Sequence, residues 1–199
     1  MNRYIVSKII KRKRLEVNMF YIGIIFIAVI GTGLHFTYEL SNHSKFFAIF
    51  SAVNESTWEH IKICMTPTIL WSLYDGYVYG LNPNYIVAKA LSILTIILLI
   101  PILFYLYTAF TKKSILWVDV ICFYVTVICS NIVFYHFISL NALPFKYTYL
   151  SAILLFLEIC AYMFLTFNPI KNFIFEDPIS HKYGLRGHTE HKHNHKHKH

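Results

Sequence analysis

His35 and Glu39 stand four residues apart near the end of one apolar run, and Asn54, Glu55, Glu59 and His60 gather at the start of the next. Imidazole and carboxylate suit zinc, and with more oxygens iron or manganese. In this pattern His35, Glu39 and His60 are candidate ligands of a divalent metal such as zinc. Glu55 and Glu59 are the candidate catalytic acids or bases. The same spacing also fits plainer work. Ser56-Thr57-Trp58-Glu59 has the form of a capping box, with Ser56 as N-cap and Glu59 as the third helical residue. Trp58 and His60 suit a membrane surface. No HExxH and no Cys/His zinc spacing is present, so both readings stand.

Three further polar residues, Asp75, His136 and Glu158, lie inside apolar runs. A carboxylate in mid-membrane costs roughly 2.5–3.5 kcal/mol on insertion scales, so it is expected to face the bundle interior and a partner. For Glu158 the candidate partners are Asn131 and His136; Lys89 is expected near Asp75. Such a set could relay protons or line a polar path, or simply tie helices together through hydrogen bonds. A third set closes the chain: His188, His191, His193, His195, His197 and His199 alternate with Lys, Asn and other polar residues. A tract of this kind can chelate divalent metal or act as a pH-sensitive basic tail. Cys64, Cys122, Cys129 and Cys160 all fall in apolar runs and read as small buried hydrophobes. No Gly-rich phosphate loop, GxSxG elbow or Walker sequence occurs, which argues against a soluble-type nucleotide enzyme.

Composition decides what must position these residues. The chain has 199 residues, 56% hydrophobic and only 14% charged, against about 25% charged in soluble domains. Mean hydropathy is +0.50. The fold class is therefore all-α, an integral membrane helical bundle of about five transmembrane helices. A span needs about 20 mostly apolar residues, and the uncharged runs place spans near 19–38, 57–80, 86–109, 115–138 and 147–168. Pro67 should kink the second span. Turns follow at Gly80–Asn84 and Asn141–Pro144. The stretch Phe46–Val53 is too short to cross and reads as a re-entrant or interfacial piece. Alternation of spans puts His35, Glu39, Glu55, Glu59, His60 and Asp119 on one membrane face, and Asp75 and His136 toward the other.

The net charge of +8 is uneven. Residues 1–18 form a basic N-terminal segment, residues 19–169 a neutral transmembrane domain, and residues 170–199 a basic C-terminal tail, His-rich from 188. Basic ends on an apolar body point to membrane lipids as partners and away from nucleic acid. The run Lys11-Arg12-Lys13-Arg14 favours a multi-pass protein of the cell membrane with a cytoplasmic N-terminus. An odd number of spans then sends the basic C-terminus outside, which the same rule disfavours.

The segment Ser51-Ala52-Val53-Asn54-Glu55-Ser56-Thr57-Trp58-Glu59-His60-Ile61-Lys62 resembles the V-N-E-S-x-W-E-H-x-K signature of a prokaryotic family of small multi-pass membrane proteins, the domain-of-unknown-function 6512 family. His35-Phe36-Thr37-Tyr38-Glu39-Leu40-Ser41 is similar to that family's H-F-x-Y-E-x-S stretch. Phe175-Glu176-Asp177-Pro178 with Tyr183-Gly184 is similar to its closing D-P…Y-G segment. The resemblance implies a multi-span bundle and points again at His35, Glu39, Asn54, Glu55, Trp58, Glu59 and His60. It implies no activity, and it ends before the His-rich tract. The leading expectation is a metal-dependent membrane hydrolase acting on a lipid or membrane-borne substrate, with a divalent metal ion as cofactor. The alternatives are a transporter or metal-ion handling protein, and a non-catalytic membrane scaffold.

Overall fold

Five apolar runs become five long helices, and one short helix lies between the first two. In the computed structural model, which describes residues 3–185 with side chains from residue 14, these are α1 (Arg3–Leu40), α2 (Lys45–Ala48), α3 (Thr57–Tyr79), α4 (Tyr85–Thr111), α5 (Leu116–Ser139) and α6 (Phe145–Phe167). No strand occurs among the described residues, and the only bridge pairs Glu176 with Tyr183. The architecture is all-α.

Four helices are long and apolar enough to cross a membrane: the Arg14–Leu40 part of α1, and all of α4, α5 and α6. The fifth expected span, α3, is of a different kind. Its 23 residues would reach about 35 Å, but they include Glu59, Lys62 and Asp75. Its N-terminal half is buried on every side, with Thr57–Glu59 and Ile61–Thr68 all enclosed. A helix enclosed all round belongs to the middle of a bundle, and α1, α4 and α5 all pack against it. Its charges are matched inside: Lys62 Nζ lies 2.8 Å from Glu59, and Lys89 Nζ of α4 lies 2.6 Å from Asp75.

The α1–α3 contact is closest at Gly31. A Cβ there would lie 2.7 Å from the carbonyl oxygen of Ile63 and 2.6 Å from the Phe123 ring. Ile63 is the residue whose carbonyl an amide at position 67 would normally receive. Position 67 is proline, which has no N–H to give. The helix nonetheless continues through Pro67, with the freed carbonyl turned to the bare Cα of Gly31.

Asn42 and His43 adopt positive φ of 55° and 65°. This left-handed turn ends α1, and its amides return to the carbonyls of Glu39 and Tyr38. The expected interfacial stretch becomes α2 and a buried loop, with Ala48, Ser51, Ala52 and Val53 enclosed. At the other end of the bundle, Asn84 is fully buried. Its side-chain amide reaches the carbonyls of Phe137, Leu140 and Asn141, and its Oδ1 accepts from Leu143 N–H. That single side chain fixes the α5–α6 turn.

Antiparallel succession gathers the C-terminal ends of α1, α4 and α6 with the N-terminal ends of α3 and α5. Residues 170–185 fold back over this end. Trp58 N–H donates to the Ile174 carbonyl at 2.9 Å, and the Trp58 and Phe175 rings lie 4.9 Å apart.

Candidate metal centre

Three elements meet at this end. His35 comes from the last turns of α1, Glu55 from the loop before α3, and His60 from the first turn of α3. His35 Nε2 lies 3.6 Å from Glu55 Oε1, and His60 Nε2 lies 3.9 Å from Glu55 Oε2. One ligand atom from each residue falls within 4.8 Å of the other two. The site is half-open, with Glu55 42% exposed and the two histidines about a quarter exposed.

The His60 tautomer follows from its other nitrogen. Nδ1 lies 3.0 Å from the Ser56 carbonyl oxygen. A carbonyl only accepts, so Nδ1 carries the hydrogen and a neutral ring presents the Nε2 lone pair to Glu55. A lone pair facing a carboxylate oxygen at 3.9 Å is repulsive unless a cation stands between them. A backbone carbonyl on the far nitrogen is also the usual support of a metal-bound histidine. For tetrahedral zinc with bonds of about 2.0–2.1 Å, ligand atoms sit about 3.4 Å apart. The observed spacings need only a small closure.

The loop that carries Glu55 is held at almost every residue. Val53 N–H donates to Glu59 Oε2 at 3.0 Å, and Lys62 Nζ donates to the same oxygen and to the Ala48 carbonyl. Thr66 Oγ1 donates to the Phe50 carbonyl, and Tyr162 OH to the Ile49 carbonyl at 2.7 Å. Asn54 turns its Oδ1 to Ser56 N–H and its amide to the Gly184 carbonyl. Glu55 N–H itself donates to Asp177 Oδ1 at 3.3 Å. Asp177 is fully buried, and its other oxygen accepts from Ser180. The C-terminal segment is thus the back wall of the Glu55 loop.

The other sequence candidates fall elsewhere. Glu39 is exposed and outside the three-residue group. Glu59 is 2% exposed and committed to Val53 and Lys62. Its carboxylate serves the loop rather than the Ser56 amide, so the expected capping box is not formed: Ser56 makes no side-chain cap, and its N–H goes to Asn54. Asp119 does lie on this face, where Tyr107 OH and Ser114 Oγ donate to it. With Thr57 and His60 it lines a cavity of about 20 Å³, room for one water.

Asp75, His136 and Glu158 do not converge. Asp75 is paired with Lys89 and accepts from Tyr85 OH at 2.7 Å. His136 is exposed. Asn131 gives its amide to the Val127 carbonyl. Glu158 is 5% exposed, and neither of its oxygens has a hydrogen-bond partner. His188, His191, His193, His195, His197 and His199 lie outside the described residues.

Sequence reasoning did not find Lys62, Asp177 or the Asn54–Gly184 contact as supports of the site. Their signal was present: all stand inside the two segments that resemble the family signature. No curated protein and no solved structure matches the chain. A family model described as a family of unknown function does match, over residues 9–185, and the chain belongs to that family, DUF6512.

Proposed function

We propose that His35, Glu55 and His60 hold a divalent cation such as zinc, and that the protein is a metal-dependent hydrolase acting on a lipid or membrane-borne substrate. The observation that carries this reading is the His60 ring, whose fixed tautomer aims a lone pair at a carboxylate. Two histidines and one carboxylate, with a position left open, are the donor set of catalytic rather than structural zinc. Such a cation activates bound water near neutral pH. The half-open site lies at the end of an apolar bundle, where a lipid headgroup or its ester would arrive.

The transporter reading draws less support, because Asp75 and His136 have separate surroundings. The basic run Lys11-Arg12-Lys13-Arg14 favours a cytoplasmic N-terminus in the cell membrane, and anionic lipid as its partner. The metal triad would then face outward.

Elemental analysis of chain lacking residues 188–199 tests the centre without the His-rich tract. Stoichiometric metal is expected in that chain and its loss is expected in Glu55→Gln. Metal-free protein after purification without chelator would sink the proposal. Loss of ester hydrolysis with metal retained in no variant would separate binding from catalysis.

A further inference from the structure

Glu158 is a buried carboxylate with no donor on either oxygen. The donors nearest in sequence or by expectation are spent or turned away. Tyr162 OH serves the Ile49 carbonyl and Thr66, the Asn131 amide serves Val127, and His136 faces outward. A carboxylate at this depth is expensive unless something meets it.

A groove reaches toward it. Between the first half of α4, the end of α5 and the first half of α6 lies an open space of about 380 Å³, lined by Val87, Leu91, Phe137, Tyr147, Ser151 and Leu154 among others. That is a usual size for a small-molecule pocket. Tyr147, Ser151, Leu154 and Glu158 stand at i, i+4, i+7 and i+11 of α6, a single stripe of the helix. Helical side chains lean toward the N-terminus. The carboxyl of Glu158 therefore leans back over the turn of Leu154, the inner end of the groove. The pocket offers apolar walls and, at its inner end, a carboxylate lacking donors.

We propose that this groove is a membrane-facing site for a lipophilic organic amine, whose apolar body fills the groove and whose ammonium meets Glu158. An ammonium supplies hydrogen-bond donors and the opposite charge together. A fatty acid would repeat the charge of Glu158, and an alkane or alcohol would leave it unmatched. The site is separate from the metal triad, so failure of either proposal leaves the other standing.

Scintillation-proximity binding of radiolabelled dodecylamine to the full chain in detergent tests it. Saturable binding is expected, displaced by unlabelled dodecylamine and not by equal dodecanol. Glu158→Gln keeps the shape and removes the charge, and should weaken binding about ten-fold or more. Ser151→Trp, which fills the groove, should abolish it. The dodecanol competition needs no variant and so holds even where a substitution fails to fold. Absent binding, equal displacement by dodecanol, or undiminished binding in folded Glu158→Gln would each overturn the proposal.

Discussion

Glu55 and Glu59 are the same side chain four residues apart, and the fold gives them different work. Glu59 and Lys62 are 2% and 0% exposed, and together they hold the amide of Val53 and the carbonyl of Ala48. Glu59→Gln leaves the Lys62 ammonium buried without its counter-ion, a loss of about 3–5 kcal/mol. It should appear as a large fall in the unfolding temperature in detergent. The double change Glu59→Leu with Lys62→Met removes both charges and should be milder. Glu55 is half-exposed and its side chain meets only His35 and His60. Glu55→Gln should therefore leave the unfolding temperature of metal-free protein nearly unchanged and abolish metal retention. If Glu55→Gln unfolds the chain, or Glu59→Gln does not destabilise it, these assignments are reversed. Spacing made all these residues candidates but could not sort them. The sorting depends on Lys62 reaching back to Ala48 and on His60 finding Ser56. Those are contacts across a loop whose path no local pattern sets.

At the scale of the element, the helices were legible because a membrane imposes a length. Uncharged runs mark α1, α4, α5 and α6 to within a few residues of their observed ends. The special place of α3 was less legible. Its charges looked like interruptions of a span, whereas they are ion pairs enclosed by neighbouring helices. The folding back of residues 170–185 was not legible at all, since Asn54 and Gly184 are 130 residues apart. Two glycines of α1 test the packing directly. Gly31→Ala puts a methyl against the Ile63 carbonyl, which is backbone and cannot step aside, and should cost about 1–3 kcal/mol. Gly33 has open space where a Cβ would stand. Gly33→Ala should be neutral or stabilise by about 0.5–1 kcal/mol through helix propensity. Parallel thermal melts of the two variants read the difference. Asp177→Ala should release the back wall of the Glu55 loop, seen as faster proteolysis within 170–185 and weaker metal retention.

For the whole molecule, chain direction alone separates two ends with different chemistry. The triad, Asp119 and residues 170–185 gather at one end, and Asp75, Lys89 and Asn84 at the other. If α3 crosses with the four apolar helices, the α4–α5 and α5–α6 turns lie on opposite sides of the membrane. Lys113 and Asn141 are exposed residues of those two turns. In a chain whose four native cysteines are changed to alanine, Lys113→Cys and Asn141→Cys give each side one thiol. With the basic N-terminus cytoplasmic, an impermeant maleimide added to intact cells should label position 113 and spare 141, and lysis should expose both. Labelling of 141 alone would invert the orientation and put the metal triad inside, with the five-crossing layout intact. Equal labelling of both in intact cells would mean that the two turns share a side, and the layout itself would fall. The experiment matters for chemistry because it decides which leaflet supplies the substrate. A triad at the outer face meets outer-leaflet headgroups and whatever divalent metal the surroundings hold, while an inner triad would draw on the cytoplasmic pool.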